Sequence, residues 1–170
     1  MPADLYRDRS IRELTLGIRV DKSGILTADD DLFTVVGQVM ITLIIGEVTT
    51  VMDGGASTVK LNEKASSIDL CAATTITSDA DGELYILSGQ GNALLNGGLA
   101  PALKVATLTA EHDSTVDRSP ALAPIIFGLG GGVLGSLTIE STETGDDTGV
   151  ILWSLFYIPM EDGAYVEAAA

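Results

Sequence analysis

Apolar side chains fall mostly at every second position, in short runs divided by turns rich in Gly and Asp. In "RELTLGIRV", Leu14, Leu16, Ile18 and Val20 alternate with Glu13, Thr15, Gly17 and Arg19. That is the period of a strand with one face in water. The "DKSG" that follows predicts a turn, and "TADDD" a charged loop before Leu32.

The stretch "VGQVMITLIIGEVTTVM", Val36 to Met52, breaks the simple pattern. As an extended strand, one face would carry Val39, Ile41, Leu43, Ile45, Glu47, Thr49 and Val51. The other would carry Met40, Thr42, Ile44, Gly46, Val48, Thr50 and Met52. Neither face is polar, whereas a strand of an antiparallel sheet normally turns one face to water. Sheet packing covers one side; loops or a second subunit must cover the other. Val39, Ile41, Leu43 and Ile45 are therefore candidate subunit-interface residues. Gly46 is expected to mark a bulge or bend that divides the run into two strands. The Val, Ile and Thr content and the missing 3.6-residue period argue against a helix.

"DGGAS" predicts a hairpin turn into "TVKLN", and "IDLCAAT" and "ELYILSG" predict short strands around the turn "TSDADG". "LKVATLT" predicts another, followed by the polar loop "AEHDSTVDRSPALAP". "PIIFGLGGGVLGSLTIES" reads as two strands meeting at a glycine corner, Gly128 to Gly132. "GVILWSLFYIPM" gives the strongest strand, and "EDGAYVEAAA" a polar tail. The fold class that results is all-β, an antiparallel β-sandwich or barrel, jelly-roll-like, of about eight to ten short strands. The expected organisation is an N-terminal arm and first strand over residues 1–25, one β domain over 26–166, and a tail over 167–170.

Composition adds three constraints. An apolar fraction of 46% in 170 residues supports a real core in one domain. A net charge of −15 repels phosphate backbones and anionic lipid, so nucleic acid and membrane are excluded as expected partners. The charge is uneven: residues 1–22 hold five basic groups, Arg7, Arg9 and Arg12 among them, against four acidic ones. A locally basic arm on an acidic body suits docking on an acidic neighbour, and those three arginines are the candidate docking residues. "MPADLYRDRSIRE" lacks the apolar segment of a secretory signal, and no run suits a spanning helix. The chain is expected to be made in the cytoplasm and to stay soluble.

Candidate chemistry is thin. His112, the only histidine, sits in a polar loop whose neighbouring Ser and Asp do not make a convergent triad. Cys71 is alone, flanked by apolar residues, and reads as a small buried hydrophobe. The acidic clusters Asp29–Asp31, Asp79 with Asp81, and Asp146–Asp147 lack the spacing of a calcium loop. "GQGNALLNGG" and "FGLGGG" lack the following helix that a phosphate loop requires. Trp153 and Tyr157 share a strand face with Ile151 and Leu155 and read as core. No catalytic, metal or cofactor site is expected.

Three passages together carry a resemblance: "LFTVVGQVMITLIIGEVTTVM", "GASTVKLNEKASSIDLCAATTITSDADGELYILSG" and "GVILWSLFYIPMEDGAYV". They resemble a group of tailed-bacteriophage virion structural proteins, over roughly Leu32 to Val166 with gaps around 90–145. The resemblance implies a non-enzymatic, β-rich particle component, a capsid decoration or head-stabilising protein on the outside of the shell. It further implies a homotrimer, with the major capsid protein as the other partner and the virion as its location. The alternative from another class is a carbohydrate- or receptor-binding β module on a tail or fibre, which needs an exposed aromatic platform.

Overall fold

The computed structural model describes residues 17–25, 29–52, 55–87, 95–96, 125–128, 135–145 and 148–170. Within them the apolar runs form twelve strands and no helix, so none is available to cross a membrane. The strands are β1 (Ile18–Ile25), β2 (Asp30–Val36), β3 (Val39–Thr50), β4 (Thr58–Glu63), β5 (Ile68–Asp69) and β6 (Thr74–Thr75). They continue with β7 (Leu84–Ile86), β8 (Leu95–Asn96), β9 (Ile125–Phe127), β10 (Ser136–Thr144), β11 (Val150–Pro159) and β12 (Tyr165–Ala168). Arg7, Arg9, Arg12, Leu14, Leu16, His112, Asp146, Asp147, the strand expected at "LKVATLT" and most of the glycine corner lie outside the described residues.

Two antiparallel sheets face each other. The first runs β1-β11-β3-β7-β8 with β9 also on β3, and the second runs β12-β2-β10-β4-β5 with β6 also on β4. Set aside β8, β9 and β12, and count β5 with β6 as one strand. Chain order then reads 1-8-3-6 in the first sheet and 2-7-4-5 in the second. Strands from the first half of the chain pair with strands from the second half, as in a long hairpin wrapped into two layers. That is jelly-roll order, an open sandwich rather than a closed barrel.

The core lies between the layers. From β11 it takes Ile151, Trp153, Leu155 and Tyr157, and from β3 Val39, Ile41, Ile44 and Val48. The second sheet answers with Phe33, Val35, Val59, Leu61, Ile139 and Val166. The i, i+2 spacing of the β11 row puts all four side chains on one face. Trp153 is fully buried, with its ring 6.5 Å from that of Tyr85. Cys71 is buried too, and burial pushes its thiol pKa up, which keeps it protonated and inert.

Several local expectations are corrected. Gly46 does not divide the long run: β3 is continuous, and Gly46 stands opposite Trp153 in the β3–β11 ladder. A Cβ on Gly46 would lie 2.8 Å from both Ile151 Cγ2 and Trp153 Cζ3, so glycine makes room for the indole. The irregularities sit elsewhere. Phe156 pairs with Leu43 but Tyr157 with Ile41, which leaves Thr42 as an extra residue. Val150 pairs with Thr50 but Ile151 with Val48, which leaves Thr49 extra. Each is a β-bulge, and each threonine hydroxyl donates to the carbonyl beside it: Thr42 to Phe156 O at 3.2 Å, Thr49 to Val150 O at 3.3 Å.

"DKSG" is not a turn but the C-terminal half of β1, paired with β11 from Asp21↔Ser154 to Gly24↔Ile151. Asp30 and Asp31, expected in a loop, open β2. The polar tail is β12, hydrogen-bonded to β2. Beyond it, Ala169 N–H donates to Leu32 O at 3.0 Å, and Lys22 Nζ donates to Ala169 O at 2.8 Å. That last bond ties the β1 edge of one sheet to the β12 edge of the other. The two strands meeting at the glycine corner, β9 and β10, belong to different sheets. Gly128, which begins it, has φ +110°, and a Cβ there would run into the Gly37 carbonyl.

Candidate interaction surface

The bulge at Thr42 decides which side chains of β3 face outward. Ahead of it Val39 and Ile41 point into the core; past it the inward positions become Ile44, Gly46 and Val48. The four candidate interface residues are therefore split. Val39 and Ile41 are completely covered by the chain itself and have no surface to offer a second subunit. Leu43 and Ile45 lie on the outer face of the first sheet, half-buried.

Their neighbours on that face come from the strands alongside. Leu43 pairs with Phe156, Ile45 with Ile86 and Ser154, and Glu47 with Leu84 and Leu152. Met40 pairs with Ile158 and Ile126, the last 59% exposed. The outward row of β11, Leu152, Ser154, Phe156 and Ile158, is thus apolar apart from Ser154. "GVILWSLFYIPM" carries this signal in Leu152, Phe156 and Ile158, whereas the sequence reading placed only the row of Ile151, Trp153, Leu155 and Tyr157.

Polar groups sit at the β1 margin. Arg19 Nε and Asp21 Oδ1 are 2.7 Å apart, Ser154 Oγ donates to Asp21 Oδ1 at 2.7 Å, and Arg19 donates to Ser154 Oγ at 3.1 Å. The Arg19 guanidinium also lies 5.8 Å from the centre of the Phe156 ring. Arg19 and Asp21 cancel each other's charge, so Glu47 is the uncompensated ionic group on this face among the described residues.

The outer face of the second sheet is the opposite case. Asn62 donates to Glu140 at 2.6 Å and accepts from Thr142 at 2.5 Å. Lys60 pairs with Asp69 at 2.7 Å, and Lys64 reaches both oxygens of Asp31 at 2.7 and 2.8 Å. Hydrogen bonding to Asp31, with the charges of Asp31, Glu140 and Asp29, raises the Lys64 pKa. This face is built for water.

Among the described residues, two of the acidic clusters supply structural acceptors. Asp29 accepts from Glu143 N–H at 3.1 Å, and buried Asp79 accepts the Tyr85 hydroxyl. Among the described residues no three His, Cys, Asp or Glu side chains stand together as metal ligands. The most elaborate carboxylate was not anticipated. Glu63, at the end of β4 and buried, accepts from Ala65 N–H at 3.0 Å, Ser66 N–H at 2.6 Å and the Ser66 hydroxyl. Burial pushes its pKa up, but the hydrogen bonds from Ser66 and Ala65 together outweigh it and hold the carboxyl below its ordinary value. The bonds cap the turn over residues 64–67, where Ser67 adopts φ 54°.

No family model, curated protein or solved structure matches this chain.

Proposed function

We propose that this chain is a non-enzymatic structural protein of a tailed-bacteriophage virion, a homotrimeric decoration or cementing protein on the outside of the capsid shell. Its partners are other copies of itself and the major capsid protein. The observation that carries the reading is the contrast between the two outer faces: one a hydrogen-bonded polar network, the other apolar across β11, β3 and β7. A chain of net charge −15 whose described residues include such an apolar outer face has a surface suited to assembly. Jelly-roll order is compatible with this role, because viral capsid domains use it. Lectins use it as well, so the fold does not separate the two readings, and the surface carries the assignment.

The carbohydrate-binding alternative gains nothing from the side chains. Trp153, Tyr85, Tyr157, Phe33 and Phe127 are buried in the core. Among the described aromatics, Phe156 and Tyr165 reach the surface, and they sit on different sheets, so they form no platform. The test is binding of the purified chain to empty capsids. Saturable binding at a fixed number of copies per shell is expected; absence of binding, with the chain missing from purified particles, would refute the assignment.

A further inference from the structure

We propose that the outer face of the first sheet packs against a second copy of this chain. The inference rests on the structural-protein reading and deepens it by naming the surface and its occupant.

Area comes first. From Val150 to Ile158 the face is about 26 Å long, and across β1, β11, β3 and β7 it is about 19 Å wide, at roughly 3.3 Å per residue and 4.8 Å per strand. That footprint of about 500 Å² per copy means two copies bury about 1,000 Å² or more, the level at which specific interfaces begin. Leu43, Ile45, Ile86, Leu152, Phe156 and Ile158 fill its centre, and Arg19, Asp21 and Ser23 form a polar margin, the layout of an interface core and rim.

Charge then selects the occupant. Nucleic acid or an anionic bilayer would need a basic patch, and Arg19 is already paired with Asp21. A basic protein would find little to hold on this face, where Asp21 is already taken by Arg19 and Glu47 is the one uncompensated carboxylate among the described residues. Two copies at −15 each repel at long range, and the place where they can meet without opposing rows of carboxylates is this nearly neutral face. Its match on a neighbouring copy is the same kind of surface, the faces of three copies meeting about the threefold axis of the homotrimer. Glu47 is the group that opposes closure, a lone carboxylate between Leu152 and Leu84.

The test is sedimentation equilibrium of the full chain at about 0.1 M and about 1 M salt, where the Debye length falls from about 10 Å to about 3 Å. The chain is expected to associate, and more tightly at high salt as like-charge repulsion is screened. Ile45→Lys should weaken association at least about a hundredfold while the circular dichroism spectrum stays that of the folded chain. Glu47→Gln should tighten it about tenfold; if Ile45→Lys does not fold, this variant and the salt series carry the test. A monomer in both salts, as when another segment of the same chain covers the face, overturns the inference. So does a folded Ile45→Lys chain that associates like the wild type. Association through this face by a protein missing from particles would refute the virion assignment alone. A monomer that still coats capsids would refute the inference alone.

Discussion

Replacing Gly46 with alanine adds one methyl group, and the structure places it 2.8–2.9 Å from Ile151 Cγ2, Trp153 Cζ3 and Trp153 Cε3. These belong to two fully buried side chains opposite β3, so neither can swing away into solvent. Two effects oppose each other. Alanine in place of glycine within a strand gains about 0.5–1 kcal/mol from the unfolded chain's lost freedom. Overpacking a well-filled core costs about 1–3 kcal/mol. The packing effect wins, and Gly46→Ala should destabilise the fold by about 1–2 kcal/mol, or roughly 2–8 °C in thermal midpoint at this chain length. Urea unfolding of four proteins tests the cause: wild type, Gly46→Ala, Trp153→Leu and the double variant. Trp153→Leu alone should be strongly destabilising, since a large core side chain is cut back. In its background Gly46→Ala should become neutral or stabilising, a coupling of about 1 kcal/mol or more. Equal destabilisation by Gly46→Ala in both backgrounds would show that the glycine answers to something other than the indole.

Three further predictions follow from the same geometry. Thr42→Val removes the hydroxyl bond to the Phe156 carbonyl in a half-buried bulge and should cost about 0.5–1.5 kcal/mol by urea unfolding; the exposed bulge variant Thr49→Val should stay within about 0.5 kcal/mol of wild type. Glu63 has a folded pKa below its ordinary 4.5, so its contribution is complete above pH 4.5 and is lost as pH falls through the lowered folded value. Glu63→Gln should therefore lower the urea midpoint at neutral pH, and the gap to wild type should close on acidification below 4.5; a gap that widened would reverse the sign of the argument. Removing residues 1–12, which precede β1, should leave the thermal midpoint unchanged and weaken capsid attachment, as should raising salt from about 0.1 M to about 1 M. Capsid occupancy unaffected by either change would remove the docking role of Arg7, Arg9 and Arg12.

Alternation was enough to make the inward row of β11 legible, because Ile151, Trp153, Leu155 and Tyr157 keep strict two-residue spacing. It was not enough for β3. Thr42 and Thr49 look like any strand threonine, and what makes them bulges is the register that β11 imposes from across the ladder. One extra residue exchanges the faces of everything beyond it, so Leu43 and Ile45 part company with Val39 and Ile41. "DKSG" carries turn residues, yet β11 holds it extended, and Gly24 lies against Leu32 and Trp153 where a bulkier side chain would crowd them. Tertiary pairing overrides local preference there. The apolar outer face was half legible: β3 is apolar on both faces in the sequence, while the extent of the face over β11 and β7 emerged from strand order.

In the proposed assembly the outer face of the first sheet is covered by a neighbouring copy on a virion. Imaging of the intact particle tests this most directly. The predicted result is jelly-roll density outside the shell, in clusters of copies whose β11 and β3 outer faces, with Leu43, Ile45 and Phe156, meet one another. Isolated copies with that face bare to solvent, or particles without the chain, would contradict it.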